Sequence, residues 1–434
     1  MRKIALHTQI LIGMVLGLSF ALLSIKMEWP ITFTISYIKP FGTVFLNSLK
    51  MVAMPLIFVS LVVGVTNIED INKLSRIGGK TFFIYTATTV LAVSLGLGMT
   101  NFIKPGQVIS EQTRERLTAL YTGTTAQHEL TIRAIRERGE PLQLLLDLVP
   151  ENLVASMSNN ANLLQVVLVA VLLGIALLKM PPRKSRPVTL FLEGLNDAII
   201  ELIRLIMHLA PIGVFALVAS LLVEIAGDNN PNDIFEILYA LLWYVGTVLF
   251  GLTLMTFGIY PILIGATTPM SYHTFFKGIY PAQLVAFTTS SSSAALSVTM
   301  ERTEKHLGVS EKISSFLLPL GATINMDGTA LYQGVAVVFI AQVLGLDLSV
   351  TAQFVIVANV VIASLGVASV PGGSMVTTMI LLQGLGIPSA SLSLILAPDR
   401  MLDMCRTVTN VTGDAAVAVV IASSEGELMR VAKQ

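Results

Sequence analysis

Asp403, Arg406, Asn410 and Asp414 are spaced 3, 4 and 4 residues apart, so an α-helix sets all four on one stripe, with Thr407 one turn from Asp403. The rest of that segment, from Val411 to Ala422, is rich in Val and Ala. A line of ionisable groups on one face of an apolar membrane helix is expensive and by default functional. Arg406 carries the planar fork that grips a carboxylate bidentately, and Asp403 suits an ammonium. Together they select a zwitterion with an additional negative group. The plainer alternative is a structural ion pair between Asp403 and Arg406 at i,i+3, which leaves Asn410 and Asp414 without a role.

Asp327 and Asp414 have no obvious basic partner, and each lies beside Gly and within a few residues of Asn. Sodium, a hard cation, wants oxygen ligands, and unwound backbone carbonyls complete such sites. Two acids then imply at least two cation sites. Alternatively either acid is protonated and hydrogen-bonded in the core, a state whose functional form is proton coupling. Ser290 to Ser293 forms a polar tip inside an apolar stretch, where backbone N–H groups at a helix N-terminus can meet a carboxylate. Val370-Pro371-Gly372-Gly373 marks a turn with the backbone freedom of a movable lid.

These groups need a frame at membrane depth. Of 434 residues, 54% are hydrophobic and only 12% are charged, about half the charged share of a soluble domain. The whole chain therefore reads as an all-α polytopic membrane protein with no sizeable soluble domain. Net charge is zero and no basic patch appears, which excludes nucleic acid as a partner class. The single cysteine, Cys405, excludes an internal disulfide and reads as a packing residue.

Residues 4–26, 39–67, 75–103, 148–178, 190–225 and 234–265 are expected spans, and 105–147 is a polar, partly helical connection. No small-residue cleavage site closes the first run, so it reads as a retained helix. Lys and Arg near span ends (Arg2, Lys3, Lys73, Arg76, Lys80, Lys179, Arg183, Lys184, Arg186) place the N-terminus in the cytoplasm, although the arginines of 105–147 break the bias.

After residue 265 polar clusters interrupt the apolar runs, and non-helical backbone survives at that depth only when buried in protein or lining a cavity. The interruptions look like two copies of one unit. Each has a tip followed, after a similar interval, by a broken helix, bearing Asn325-Met326-Asp327-Gly328 in one and Asn410-Val411-Thr412-Gly413-Asp414 in the other. Paired interruptions of this kind point to a midplane transport site.

Ser291-Ser292-Ser293, Asn325 to Thr329 and Asp403-Met404-Cys405-Arg406-Thr407 through Asp414 also resemble the signatures of the dicarboxylate/amino acid:cation symporters, the glutamate transporter family. The resemblance runs from the first span to about Glu427. It implies sodium-coupled symport of glutamate or aspartate in a prokaryotic inner membrane. The fold would have eight transmembrane helices, two re-entrant hairpins (269–304 and 349–386), inverted repeats, and an elevator motion in a homotrimer. Residues 1–74 and 105–233 would be scaffold; 75–104 and 234–434 would be the transport domain.

By the same resemblance, Arg406 holds the substrate's side-chain carboxylate and Asp403 its amino group. Ser291, Ser292, Met326, Thr329, Val370, Ser374, Thr407 and Asn410 line the remainder. Two or three sodium ions are implied and no organic cofactor. One sodium site joins Asp414 to backbone oxygens of Gly321, Asn325 and Asn410; a second uses those of Thr323, Ser364, Leu365 and Val367. A third joins Tyr85, Thr88, Thr89, Asn325 and Asp327, and the spacing of the first three at i, i+3 and i+4 puts their oxygens on one helix face.

The chain departs from the pattern in three places. Ser290 and Met404 stand where archaeal and animal members respectively carry a second arginine; Arg400, one turn before Asp403, either replaces it or anchors at the interface. Gln333 stands where animal carriers have a glutamate implicated in proton and potassium coupling. Ser374 replaces a lid glycine of archaeal members. Rival readings are a proton-coupled carrier, a C4-dicarboxylate carrier, which Asp403 would disfavour, and an intramembrane aspartyl protease built on Asp327 and Asp414. Such a protease would have a tyrosine where Met326 stands and no use for Arg406.

Overall fold

The computed structural model describes residues 6–66, 77–122, 149–158, 162–226, 231–364 and 372–429, and these are helical apart from turns and one isolated pairing of Val309 with Leu428. Helix is the form in which an apolar segment satisfies its own backbone in lipid. Among the described residues, six helices are long and apolar enough to cross a membrane, or seven with a bent pair taken as one span.

The first three are α1 (Leu6–Lys26), α2 (Lys39–Thr66) and α3 (Ile77–Ile103), close to the expected spans. The polar connection begins with a short 3-10 turn, Pro105–Val108, and continues into α4 (Glu111–Thr122), and 123–148 lies outside the described residues. The expected fourth span is shorter than 148–178. Asn152 caps a separate turn, Leu153–Met157, by accepting from the N–H groups of Val154 and Ala155, and α5 (Leu163–Lys179) starts only after Asn162.

The expected span 190–225 is two helices. α6 (Pro182–His208) and α7 (Ala210–Ala226) meet at an angle of 53°. Pro211 explains the bend, because it has no N–H and its ring crowds the carbonyl four residues earlier. The sixth span is α8 (Pro231–Leu254) and α9 (Tyr260–Thr267), joined by a wider π turn, Met255–Ile259, in which Tyr260 N–H reaches Met255 O. Pro261 follows at once, and its missing N–H is what the turn accommodates.

The C-terminal third consists of the arms α10 (Tyr272–Thr289) and α11 (Ser292–Leu307), the broken pair α12 (Glu311–Ile324) and α13 (Asp327–Val343), the arms α14 (Val350–Ser364) and α15 (Gly373–Gly384), and α16 (Ser393–Ser424). The first break falls as expected, at Asn325 and Met326. The second expected break is absent, since α16 runs unbroken through Asn410 to Asp414. The physical difference is local: 410–414 holds no proline, Thr412 Oγ1 donates to Val408 O at 2.6 Å within the helix, and the Asn410 amide is spent on α13, accepting from Gly328 N–H at 2.8 Å.

α1, α2, α5, α6 and α7 pack on one another, while α3, α8 and α10 to α15 pack around α13 and α16, which are buried along nearly their whole length. The first group closes through small residues. Gly13 and Gly17 of α1 lie so near α7 that a Cβ would stand 2.3 Å from Pro211 O and 2.7 Å from Phe215 O. Gly17→Leu is therefore expected to cost about 1–3 kcal/mol of stability by overpacking. Thermal unfolding of the purified variant, with an unchanged midpoint as the contrary result, checks this.

Candidate substrate and cation site

α16 carries two clusters along one stripe. In the first, the Arg406 guanidinium is fully buried. Its Nη1 donates to Asp399 Oδ1 at 3.0 Å, and its Nη2 donates to Asp403 Oδ1 at 2.8 Å and to Ser374 Oγ at 2.9 Å. The plane lies over the Tyr332 ring, 3.8 Å from its centroid, which adds cation–π attraction. Arg400 Nη1 donates to Asp403 Oδ2 at 3.2 Å, so Asp403 is held between two guanidiniums. Arg400 is itself buried, which excludes the interfacial-anchor reading.

Two guanidiniums and two carboxylates balance, as burial demands, because an unpaired charge there would cost several kcal/mol. The Asp403–Arg406 pair expected as the plainer reading is thus present, but it is one edge of a four-member cluster.

Sequence reasoning missed Asp399. It lies four residues before Asp403 and extends the stripe by one turn, so the spacing did carry the signal. Tyr332 and Tyr260 carried none.

Asn410 joins α16 to the break in α13. Besides taking Gly328 N–H, its Nδ2 donates to Met326 Sδ at 3.3 Å and Thr329 Oγ1 at 3.4 Å. A Cβ at position 328 would stand 2.5 Å from Arg406 O, so the close approach of the two helices requires glycine. Thr407 donates to Asp403 O at 2.8 Å within its own helix. At the first hairpin tip, Ser290 takes a left-handed conformation (φ 50°), Ser291 Oγ caps α11 by accepting from Ala294 N–H at 3.2 Å, and Ser292 is buried.

The second cluster is built from oxygens. Asp327 Oδ1 accepts from Thr89 Oγ1 at 2.6 Å and Oδ2 from Tyr260 OH at 2.8 Å. Asp414 Oδ1 accepts from Asn325 Nδ2 at 2.9 Å. The π turn before Tyr260 presents its hydroxyl to Asp327. A Cβ on Gly321 would stand 2.5 Å from both Asp414 Oδ1 and Tyr85 OH, so Gly321 is the floor between them. Asn325 Oδ1 is buried without a hydrogen-bond donor among the described residues. Among the described residues neither aspartate has an ion-pair partner.

Two buried carboxylates, a tyrosine hydroxyl and an orphaned amide oxygen make a donor set for a hard cation. Tyr85, Thr88, Thr89, Gly321, Asn325, Asp327 and Asp414 are therefore brought together; the Thr88 hydroxyl lies within hydrogen-bond reach of Asp327 and also meets Tyr85 O at 3.1 Å on its own helix. The hydroxyls of Thr323 and Ser364 bond their own helices, through Pro319 O and Val361 O, and the two residues, whose backbone oxygens are expected to serve a cation, lie at the C-terminal ends of α12 and α14. Leu365, Val367 and Val370 lie outside the described residues.

Comparison with known proteins agrees with this geometry. The model of the sodium:dicarboxylate symporter family matches residues 6–424. The chain is 32% identical to a proton/glutamate-aspartate symporter of Escherichia coli, over 99% of this chain and 94% of that protein. It is 31% identical to a proton/sodium-glutamate symport protein of Bacillus caldotenax (98% and 96% covered) and 32% identical to the neutral amino acid transporter B(0) of Oryctolagus cuniculus (86% and 71% covered). The protease reading falls with this result, since the family consists of carriers rather than enzymes. A buried guanidinium and two carboxylates with no ion-pair partner among the described residues, on a frame matched over residues 6–424, make this chain a member of the sodium:dicarboxylate symporter family.

Proposed function

We propose that the chain is a sodium-coupled symporter of glutamate or aspartate. One observation carries the reading: a single helix, α16, presents Asp403 and Arg406 in one buried cluster and, two turns beyond Arg406, an Asp414 with no cation of its own. The first pair suits an ammonium and a carboxylate, and the oxygens around the second suit a hard cation. Percentage identity alone does not choose between acidic and neutral substrates, since relatives named for each are 32% identical over the stretches that align. Arg406 favours the acidic class, because its Nε has no acceptor among the described residues and a side-chain carboxylate would supply one.

In this reading two or three sodium ions accompany each substrate, held by the Asp414 and Asp327 oxygen sets and by a third set at Thr323, Ser364, Leu365 and Val367. The packing of α3 and α8 to α16 as one group supports a transport domain of 75–104 and 234–434 that slides against a scaffold of 1–74 and 105–233. The carrier works as a homotrimer of eight-span protomers with two re-entrant hairpins, in a prokaryotic inner membrane with its N-terminus in the cytoplasm.

Proton coupling is the second reading, favoured by the neutral donors Thr89 and Tyr260 on Asp327, which suit a protonated carboxyl as well as an ionised one. Uptake of labelled aspartate, glutamate and succinate into proteoliposomes, under a sodium or a proton gradient imposed singly, separates them. Sodium alone is expected to drive aspartate or glutamate and not succinate. Accumulation under a proton gradient alone would favour the second reading, and succinate uptake a dicarboxylate carrier.

A further inference from the structure

We propose that Ser374 is an internal stand-in for the substrate carboxylate on Arg406, and that it governs both affinity for acidic substrates and the rate at which the carrier crosses without one. The proposal rests on the acidic amino acid symport set out above.

Both terminal nitrogens of Arg406 are engaged by the chain itself, while its Nε has no acceptor among the described residues, and the acceptors in place differ in kind. Asp399 and Asp403 are carboxylates on the same helix as Arg406, and Asp399 is fully buried. Ser374 is a neutral hydroxyl on another element, the first turn of α15. A guanidinium can take a carboxylate through two parallel bonds with charge on both partners, whereas a hydroxyl offers it a single neutral oxygen. An incoming carboxylate therefore displaces Ser374 before either aspartate.

The position of Ser374 suits such an exchange. Gly372, which starts α15, has φ 88°, a left-handed conformation open to glycine, so the arm pivots there at little backbone cost. Ser374 O accepts from Thr377 Oγ1 at 3.1 Å and Thr378 Oγ1 at 2.8 Å, bracing the first turn so that it moves as a unit. A symporter must return across the membrane unloaded, and a buried guanidinium short of acceptors is costly to carry across. Asp399 and Asp403 balance the charge, and Ser374 Oγ satisfies one further N–H of Arg406, the acceptor it gives up to substrate.

The test uses the full-length carrier in proteoliposomes at saturating sodium. Exchange of labelled aspartate, with substrate on both sides, does not need the unloaded crossing; net uptake into substrate-free vesicles does. In Ser374→Ala the half-saturating aspartate concentration is expected to fall about tenfold, the scale of one hydrogen bond to a charged group. The ratio of net uptake to exchange should fall by a similar factor, and Ser374→Thr, which keeps the hydroxyl, should restore both.

Ser374→Gly is a second hydroxyl-free variant should the first fold poorly, and each variant is scored against its own exchange rate. A weaker affinity with an unchanged ratio would make Ser374 an ordinary substrate contact, and no change in either would remove its role; both results overturn the proposal. Failure of the unmutated carrier to exchange acidic amino acids would count against the symport reading instead.

Discussion

Replacing Arg406 by cysteine is expected to weaken binding of aspartate and glutamate by about 3–5 kcal/mol, two to three and a half decades, the cost of breaking a desolvated charge pair. Two effects combine. The substrate carboxylate loses its bidentate partner, and Asp399, fully buried, loses the only guanidinium that donates to it among the described residues. Asp403 keeps Arg400, so the ammonium side of the pocket remains. Small neutral amino acids should accordingly gain affinity as acidic ones lose it.

A companion variant separates recognition from stability. Asp399→Asn in the Arg406→Cys background removes the orphaned charge, and should recover thermal stability without recovering acidic substrate. Competition of labelled aspartate and serine at saturating sodium measures the first effect and thermal unfolding the second. Unchanged acidic affinity in Arg406→Cys would make that arginine structural and move the carboxylate partner to Arg400.

Asp414→Asn should raise the sodium concentration needed for substrate binding at least about tenfold, taking about 1.5–3 kcal/mol for a contact to a charged group. The protein should stay folded. Asn325 Nδ2 donates to Asp414 Oδ1, and an amide oxygen at 414 accepts the same bond. Substrate-induced thermal stabilisation, titrated with sodium, is the measurement. A sodium dependence identical to that of the unmutated protein would remove Asp414 from the cation site.

The stripe from Asp403 to Asp414 was legible in the sequence because helical spacing alone collects those residues, and α16 keeps that spacing throughout. The break at Asn325 and Met326 was legible from its polar cluster. Reading the same kind of break into Asn410 to Asp414 failed because composition does not say what a polar side chain bonds to. Asn410 faces across to Gly328 rather than back onto its own helix.

Asp399 was within reach of the same spacing, and the bend at Leu209 within reach of Pro211. Ser374 and Tyr332 were not, since their meeting with Arg406 joins segments far apart in the chain. Tyr85 and Thr89 became meaningful only through resemblance, until the contact of Thr89 with Asp327 gave one of them a physical role.

The π turn in the sixth span shifts the helix's phase. Phe250, Leu254 and Phe257 stand on an outward row at helical intervals, and three residues further along that row would fall Tyr260. Instead the next large outward side chain is Ile262, and Tyr260 is wholly buried. The extra residue in the turn advances everything beyond it by about 100°, one residue's share of a 3.6-residue turn. Lipid therefore meets one side of this helix before the turn and another after it, and the hydroxyl that completes the carboxylate cluster is drawn from a position that an unbroken α-helix would have surrendered to the bilayer.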